Sequence, residues 1–320
     1  PKPKQFAEPK GHLSYVYASA FSPDDATLAT GSYDHMVRTW TLTAAAPREK
    51  ATLAGDPWPV YTVAYSPDGK MIASGGQGTT IRLWNATKMD ALRQIKPNPG
   101  AVNSLTFTPD SKMVLAATGN TVVVWDAATT DQVRILEGRE SPVHSVAVSP
   151  DGKKAVTGSG TYLYKDGKIV IENGKYVYVD PTLRVFDVES GKAMHAVKSY
   201  TQPVGNVAFS PDGRTVLSTT NEAQVWQLDV SAAEPKEVDP VLKAAAGYIR
   251  LPVFSPDGKK VATLGAEASV VIWEAATGKV LHRFNIPENV GHVSFANDSR
   301  HLAVTAATGV VYVLRLSGPA

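Results

Sequence analysis

Phe21-Ser22-Pro23-Asp24-Asp25, Tyr65-Ser66-Pro67-Asp68-Gly69 and Phe107-Thr108-Pro109-Asp110-Ser111 are three settings of one phrase. It returns as Val148-Ser149-Pro150-Asp151-Gly152, Phe209-Ser210-Pro211-Asp212-Gly213 and Phe254-Ser255-Pro256-Asp257-Gly258, then degenerate as Phe295-Ala296-Asn297-Asp298-Ser299. From Ser22 through Ser66, Thr108, Ser149, Ser210 and Ser255 to Ala296 the intervals are 44, 42, 41, 61, 45 and 41 residues. Such a period marks a repeated supersecondary unit. There are seven units, and the fourth interval carries an insertion. Pro presets φ and Gly accepts positive φ, so each phrase is a turn.

A short apolar segment precedes each turn, starting at Val16, Val60, Val102, Val143, Val204, Ile249 and Val290. A second β-rich segment follows it, as in Thr27–Thr30 or Met71–Ser74. A third ends in a large residue: Trp40, Trp84, Trp125, Phe186, Trp226, Trp273 or Leu314. A weaker fourth (Ala51–Leu53, Val133–Leu136, Val280–Phe284) leads on. That is four strands per unit, with no helical period. Runs such as Val122-Val123-Val124-Trp125 are apolar on both faces, as strands are between sheets stacked face to face.

Composition narrows the function classes. Of 320 residues, 43% are hydrophobic and 19% charged, a globular balance. The net charge is +2, too small for the general electrostatic pull of non-specific nucleic-acid binding. No cysteine is present, which excludes disulfides, thiolate metal sites and a cysteine nucleophile. No apolar run approaches the ~18 residues of a membrane span, so a soluble protein without membrane insertion is expected, cytoplasmic or exported. The opening Pro1-Lys2-Pro3-Lys4 lacks an initiator Met and a signal-peptide core. It points to a removed leader or a segment of a longer polypeptide.

In its period, its Ser-Pro-Asp-Gly turns and its Ile81-Arg82-Leu83-Trp84 ending, nearly the whole chain resembles the WD40-repeat family of β-propellers. The resemblance implies an all-β, seven-bladed propeller of four-stranded antiparallel blades, a single domain over 1–320. The family's Trp-Asp pair appears as Trp125-Asp126 and Phe186-Asp187, and its Gly-His pair only as Gly11-His12. Its turn Asp, six residues before the Trp, is Asp34 in unit one and Asp180 in unit four. The other units carry Gly78, Gly119, Thr220, Glu267 and Thr308 there. The structural His–Asp–Trp set implied by the family is therefore complete only in unit one, as His12, Asp34 and Trp40. The Ser-Pro-Asp-Gly-Lys idiom with sparse Gly-His pairs looks more like bacterial WD40 proteins, which implies a monomeric propeller within a larger protein or complex.

Three features refine the expected architecture. The last unit supplies three strands, Val290–Phe295, His301–Thr305 and Val310–Leu316, so Lys4–Glu8 is expected to add the fourth and close the ring. Pro252 falls inside the first strand of unit six, tolerable on an innermost strand bordering a channel. The insertion in unit four, about 160–181, carries Asp166-Gly167 and Asn173-Gly174, both suited to type I′ turns. It reads as strand, turn, strand, turn, strand. With Tyr162, Tyr164, Tyr176 and Tyr178 it is either a docking element or a loop covering its own blade.

Motifs for chemistry are absent: no HExxH, GxSxG or GxxxxGK[ST]. The 7 histidines (12, 35, 144, 195, 282, 292, 301) lack zinc-ligand spacing, and the turn aspartates read as turn residues rather than a metal ring. Asn85-Ala86-Thr87 and Asn297-Asp298-Ser299 match the glycosylation sequon, a frequent chance pattern. No cofactor or metal is implied. The expected function is non-catalytic: a scaffold binding a peptide or protein on the rim formed by the loops before the first strands and between the second and third strands. Tyr15, Tyr17, Tyr33, Trp58, Tyr61, His144, Tyr248 and Arg250 are the candidate contacts, because aromatic residues and Arg are enriched at binding hot spots. The alternative is a propeller enzyme or small-ligand binder with a channel site on His144, Asn103 and Arg250. A third reading is a spacer in a larger assembly.

Overall fold

The computed structural model describes residues 4–6, 11–42, 47–54, 56–96, 100–136, 140–220, 224–232, 234–237, 242–243 and 248–316. Among the described residues seven antiparallel blade sheets, besides two small hairpins, follow one another; the strands of the first six pair in chain order, and the seventh takes its outermost strand from the N-terminus. Blade one comprises Val16–Phe21, Thr27–Ser32, Val37–Thr41 and Arg48–Leu53. Blades two and three repeat it from Val60–Tyr65 and Val102–Phe107, and blade six from Ile249–Phe254. The innermost strands pack against one another in sequence, and that of blade seven meets that of blade one, so the sheets close a seven-bladed β-propeller. Among the described residues no helix is long and apolar enough to cross a membrane.

The core lies between blades, as the two-faced apolar strands require. Val122, Val123, Val124 and Trp125 are all buried: Val122 and Val124 face Phe186 of blade four, Val123 and Trp125 face Leu83 of blade two. Lys4–Phe6 forms the outermost strand of blade seven, pairing Lys4 with Val313, Gln5 with Tyr312 and Phe6 with Val311. Residues 7 and 8 of the expected closing strand lie outside the described residues.

The turns form a second closure around one rim. In six of them the aspartate accepts a hydroxyl hydrogen bond from the Ser or Thr two residues earlier, at 2.5–2.6 Å. The residue after each aspartate has positive φ, from 57° at Asp25 and Ser299 to 73° at Gly152. Each such residue touches the turn of the preceding blade. Gly69 lies against Pro23, Gly152 against Pro109, Gly213 against Pro150 and Gly258 against Pro211. Ser111 and Ser299 instead accept the backbone N–H of Asp68 and Asp257. At the seventh junction the carboxylate of Asp25 accepts the N–H groups of Asn297 and Asp298, and the Asn297 amide donates to Ser22, Pro23 and Asp25. The degenerate turn of unit seven is thus a clasp to unit one, and its sequon asparagine is occupied by that clasp.

Inside blade one, His12 Nδ1 lies 2.9 Å from Asp34, and its Nε2 lies 2.7 Å from the Thr30 hydroxyl. Trp40 Nε1 donates to the same hydroxyl at 2.9 Å. Sequence reasoning missed Thr30, the hub. Equivalent hydroxyls serve Trp84 (Ser74) and Trp273 (Thr263). In blade three that position is Ala116, and the buried Trp125 Nε1 has no partner among the described residues.

Blade five departs from the expected register. Leu228, not Trp226, takes the place of Trp40, because Leu228 pairs with Val216 as Trp40 pairs with Leu28. Its Asp229 completes the large residue–Asp pair. Tyr200 stands four residues before Val204, as His12 stands before Val16, and its hydroxyl meets Ser218 at 2.6 Å. Trp226 packs on the Tyr200 ring, centroids 5.4 Å apart. The first strand also starts late, at Asn206–Phe209 rather than at Val204.

Two predictions follow from closure and titration. Deleting residues 1–10 exposes the edge at Val311–Arg315 and should lower the melting temperature by several degrees; an unchanged melt contradicts closure. Burial lowers the pKa of His12 below 6.5 and that of His292 to about 4. The unfolded chain therefore takes up these protons first, so stability is full above pH 6.5 and falls as pH drops towards 4. Hydroxyl and then backbone hydrogen bonds hold Asp24, Asp110, Asp151 and Asp212 below the usual carboxylate value of 3.8, so their contribution is lost only at more acid pH. The urea midpoint should decrease from pH 7 to pH 5 and again below pH 4; a midpoint constant from pH 7 to 5 contradicts neutral, buried imidazoles.

Candidate functional site

The channel mouth is built from a repeated irregularity. In blades one, two, three, four and seven the ladder slips between the first Val and the second residue after it. The residue passed over is Tyr17, Tyr61, Asn103, His144 and Gly291 respectively. A bulge leaves its extra residue unpaired and re-aims its side chain. In blade six the slip spans Leu251 and Pro252, so the proline costs no ladder bond. Tyr17, Tyr61, Asn103, His144, Asn206 and Arg250 line one cavity of about 600 Å³.

Four of the predicted aromatics meet. Tyr17 is the centre, with ring centroids 4.7 Å from Tyr15, 5.3 Å from Tyr61 at 83°, and 6.3 Å from Tyr33. Burial, then neighbouring phenols, push the Tyr17 and Tyr61 hydroxyls up, so both are neutral at physiological pH. Tyr33 is half exposed. Trp58 is also half exposed and stands apart, its ring lying over Gly78, where a Cβ would meet it at 3.0 Å.

Tyr248 and Arg250 join this cluster through a backbone carbonyl. Tyr15 Oη and Arg250 Nη2 both donate to the Val290 oxygen, each at 3.0 Å. The Arg250 guanidinium stands 5.4 Å over the Tyr248 ring, a cation–π distance. Blades six, seven and one are thereby tied together at the rim. A carbonyl leaves no trace in side-chain identity, so this convergence could not be read from the sequence. His292, whose Nδ1 contacts the Ser19 hydroxyl at 3.0 Å, also lines the cavity and was missed.

His144 reaches the other prominent feature. Its Nε2 donates to the Gly160 carbonyl at 2.7 Å, at the root of the insertion. Gly160 has φ 138°, and a Cβ there would sit 2.8 Å from Pro203. The insertion is a three-armed junction rather than one ribbon. Lys154–Tyr162 pairs with Tyr178–Asp187, Tyr164–Lys165 with Lys168–Ile169, and Ile171–Glu172 with Lys175–Tyr176. Leu163, Val170 and Val177 close a cycle at the centre: each N–H donates to a carbonyl of another, at 2.8, 2.9 and 3.1 Å. Asp166-Gly167 and Asn173-Gly174 have positive φ at both turn positions, as type I′ demands. Tyr162 packs on Tyr176 and Tyr178, while Tyr164 and Ile171 are exposed.

Among the described residues no group of three or more His, Asp or Glu side chains is placed to hold a metal ion. The family model "WD domain, G-beta repeat" matches residues 3–41, 48–85, 90–126 and 130–171. With the seven blades, this makes the chain a WD40-repeat β-propeller. WD repeat and SOCS box-containing protein 1 of Xenopus tropicalis is 27% identical over 95 residues, covering 29% of this chain and 22% of its own length. The U3 small nucleolar RNA-associated protein 18 homolog of Arabidopsis thaliana is 18% identical over 157 residues, 48% of this chain and 28% of that protein. WD repeat-containing protein 90 of Mus musculus is 34% identical over 92 residues, 27% of this chain and 4% of that protein. The chain thus spans between a fifth and a third of the first two. These relatives are eukaryotic, so the expected likeness to bacterial WD40 proteins is not shown by the comparisons.

Because the innermost paired residues of the insertion root, Tyr162 and Tyr178, already face one another, an Asn-Gly turn can join them directly. Replacing 163–177 in this way should leave the melting temperature within a few degrees of the intact protein. A large fall would show that the arms brace their blade.

Proposed function

We propose that the chain is a non-catalytic interaction platform that docks a peptide or protein partner on the rim around the channel mouth. The observation that carries this reading is the meeting of Tyr15, Tyr17, Tyr33 and Tyr61, with Tyr248 and Arg250 tied to them through Val290 and Trp58 exposed apart from them. Large rings with polar tips bury much area at small entropic cost, which is the chemistry of binding anchors. WD40 propellers generally act as scaffolds for protein partners, and neither a net charge of +2 nor the rim suggests nucleic acid. The resemblance of the turn idiom to that of bacterial WD40 proteins supports a place inside a larger protein or complex.

A small molecule in the channel is the second reading, favoured by Asn103, His144 and Arg250 lining the same cavity.

Selection of a displayed random-peptide library on the intact protein tests the platform. Enriched peptides should bind the Trp58→Ala/Tyr61→Ala variant far more weakly, since each true anchor is worth about 2 kcal/mol or more. Circular dichroism confirms that the variant is folded. Peptides held equally by both forms would contradict the rim and move the interface to the insertion; a library yielding no binder would favour the channel ligand.

A further inference from the structure

Among the described residues, nothing at the channel mouth answers one charge that lies there. The cavity of about 600 Å³ is lined by hydroxyls, the amides of Asn103 and Asn206, the imidazoles of His144 and His292, and Arg250, with no Asp or Glu among them. Three arginines on third strands, by contrast, face acids. Arg38 lies 2.9 Å from Glu49, Arg82 3.4 Å from Asp56 and Arg184 2.9 Å from Asp180. No such ion pair involves Arg250 among the described residues. Its Nη2 donates to the Val290 carbonyl, and its Nε is buried without a partner among the described residues.

An unanswered N–H of a charged group inside a cleft is costly, and the cost is recovered when an acceptor arrives. The walls of a narrow cleft also concentrate its field, raising the local concentration of anions. The Tyr248 ring and the Val290 carbonyl hold the guanidinium in place, so little ordering remains to be done on binding. Nearby amides and neutral phenols supply further donors without adding charge.

Resting on the platform reading above, we infer that the channel mouth accepts the carboxylate of one acidic side chain, Asp or Glu, of the docked peptide, paired with Arg250. A carboxylate matches the planar fork of a single guanidinium. A phosphate carries about two charges at neutral pH, and phosphopeptide sites answer them with clusters of arginine. Among the described residues lining the cavity there is one fixed cation. The specificity that follows is an aromatic rim setting the position of a peptide and a lone arginine demanding an acid at one point along it.

The peptides enriched on the intact protein provide the test. They should share Glu or Asp at one position, and synthetic versions with Gln there should bind about tenfold more weakly or worse. Arg250→Gln should abolish that preference, so that Glu and Gln peptides bind it alike, while Arg250→Lys retains part of it. A phosphoserine version should bind no better than the Glu peptide. Enriched peptides without an acid, an equal Glu preference in Arg250→Gln, or tighter phosphoserine binding would each overturn the inference. The two readings fail separately: sensitivity to Trp58 and Tyr61 without an acid preference leaves the platform standing and removes the carboxylate site, whereas the absence of any enriched peptide removes both.

Discussion

Three backbone pairs, Lys4, Gln5 and Phe6 with Val313, Tyr312 and Val311, are what the remainder of the molecule depends on. A stack of seven sheets has two free edges, and free edges recruit other chains. By donating its first residues to its last blade, the chain makes the ring a single hydrogen-bonded object whose ends cannot separate without breaking a sheet. The clasp of Asp25 on Asn297 and Asp298 repeats the closure on the turn rim, so the seam between blades seven and one is held at both its outer edge and its base. At the channel mouth the Val290 carbonyl, bonded by Tyr15 and Arg250, holds the same seam a third time.

Closure also explains how a monotonous repeat yields a varied surface. Every blade must satisfy the same ladder and the same turn, which leaves little freedom in Val16, Ser22 or Trp40 and their equivalents. The bulge after the first Val is exempt, because its residue owes no ladder bond, and at Tyr17, Tyr61, Asn103 and His144 its side chain lines the channel cavity. Tyr17, Tyr61, Asn103, His144 and Gly291 differ at this position while the strands that carry them are alike. Structure and recognition are separated residue by residue along one strand.

Much of this was legible in the sequence, for reasons that are local. Pro-Asp-Gly encodes its turn through φ preferences that hold whatever surrounds it, so the count of units and the spacing of strands were readable at once. Closure was readable as a missing strand. Blade five was not, because Trp226 is the most conspicuous residue of its segment and draws the register two places from Leu228. The same blade replaces His12 by Tyr200, an exchange of hydrogen-bond chemistry that no spacing rule predicts. Thr30 escaped notice because a hydroxyl in a β-rich segment looks like any other until Trp40 and His12 are seen to share it. In the insertion the two type I′ turns were plain, but the cycle of Leu163, Val170 and Val177 is made by backbone atoms and has no side-chain signature. The rim aromatics could be named as positions; the sharing of one carbonyl by Tyr15 and Arg250 could not.

The measurement that tests ring closure most directly exploits the absence of cysteine from the chain. A Lys4→Cys/Val313→Cys pair places two thiols on facing positions of the closing sheet, and Lys4→Cys/Val311→Cys serves as the control displaced by two residues. Under mild oxidation the first pair should form an intramolecular disulfide, seen as altered mobility on a non-reducing gel, and the control should not. Free thiols in both proteins, or equal cross-linking in both, would contradict a ring closed in this register.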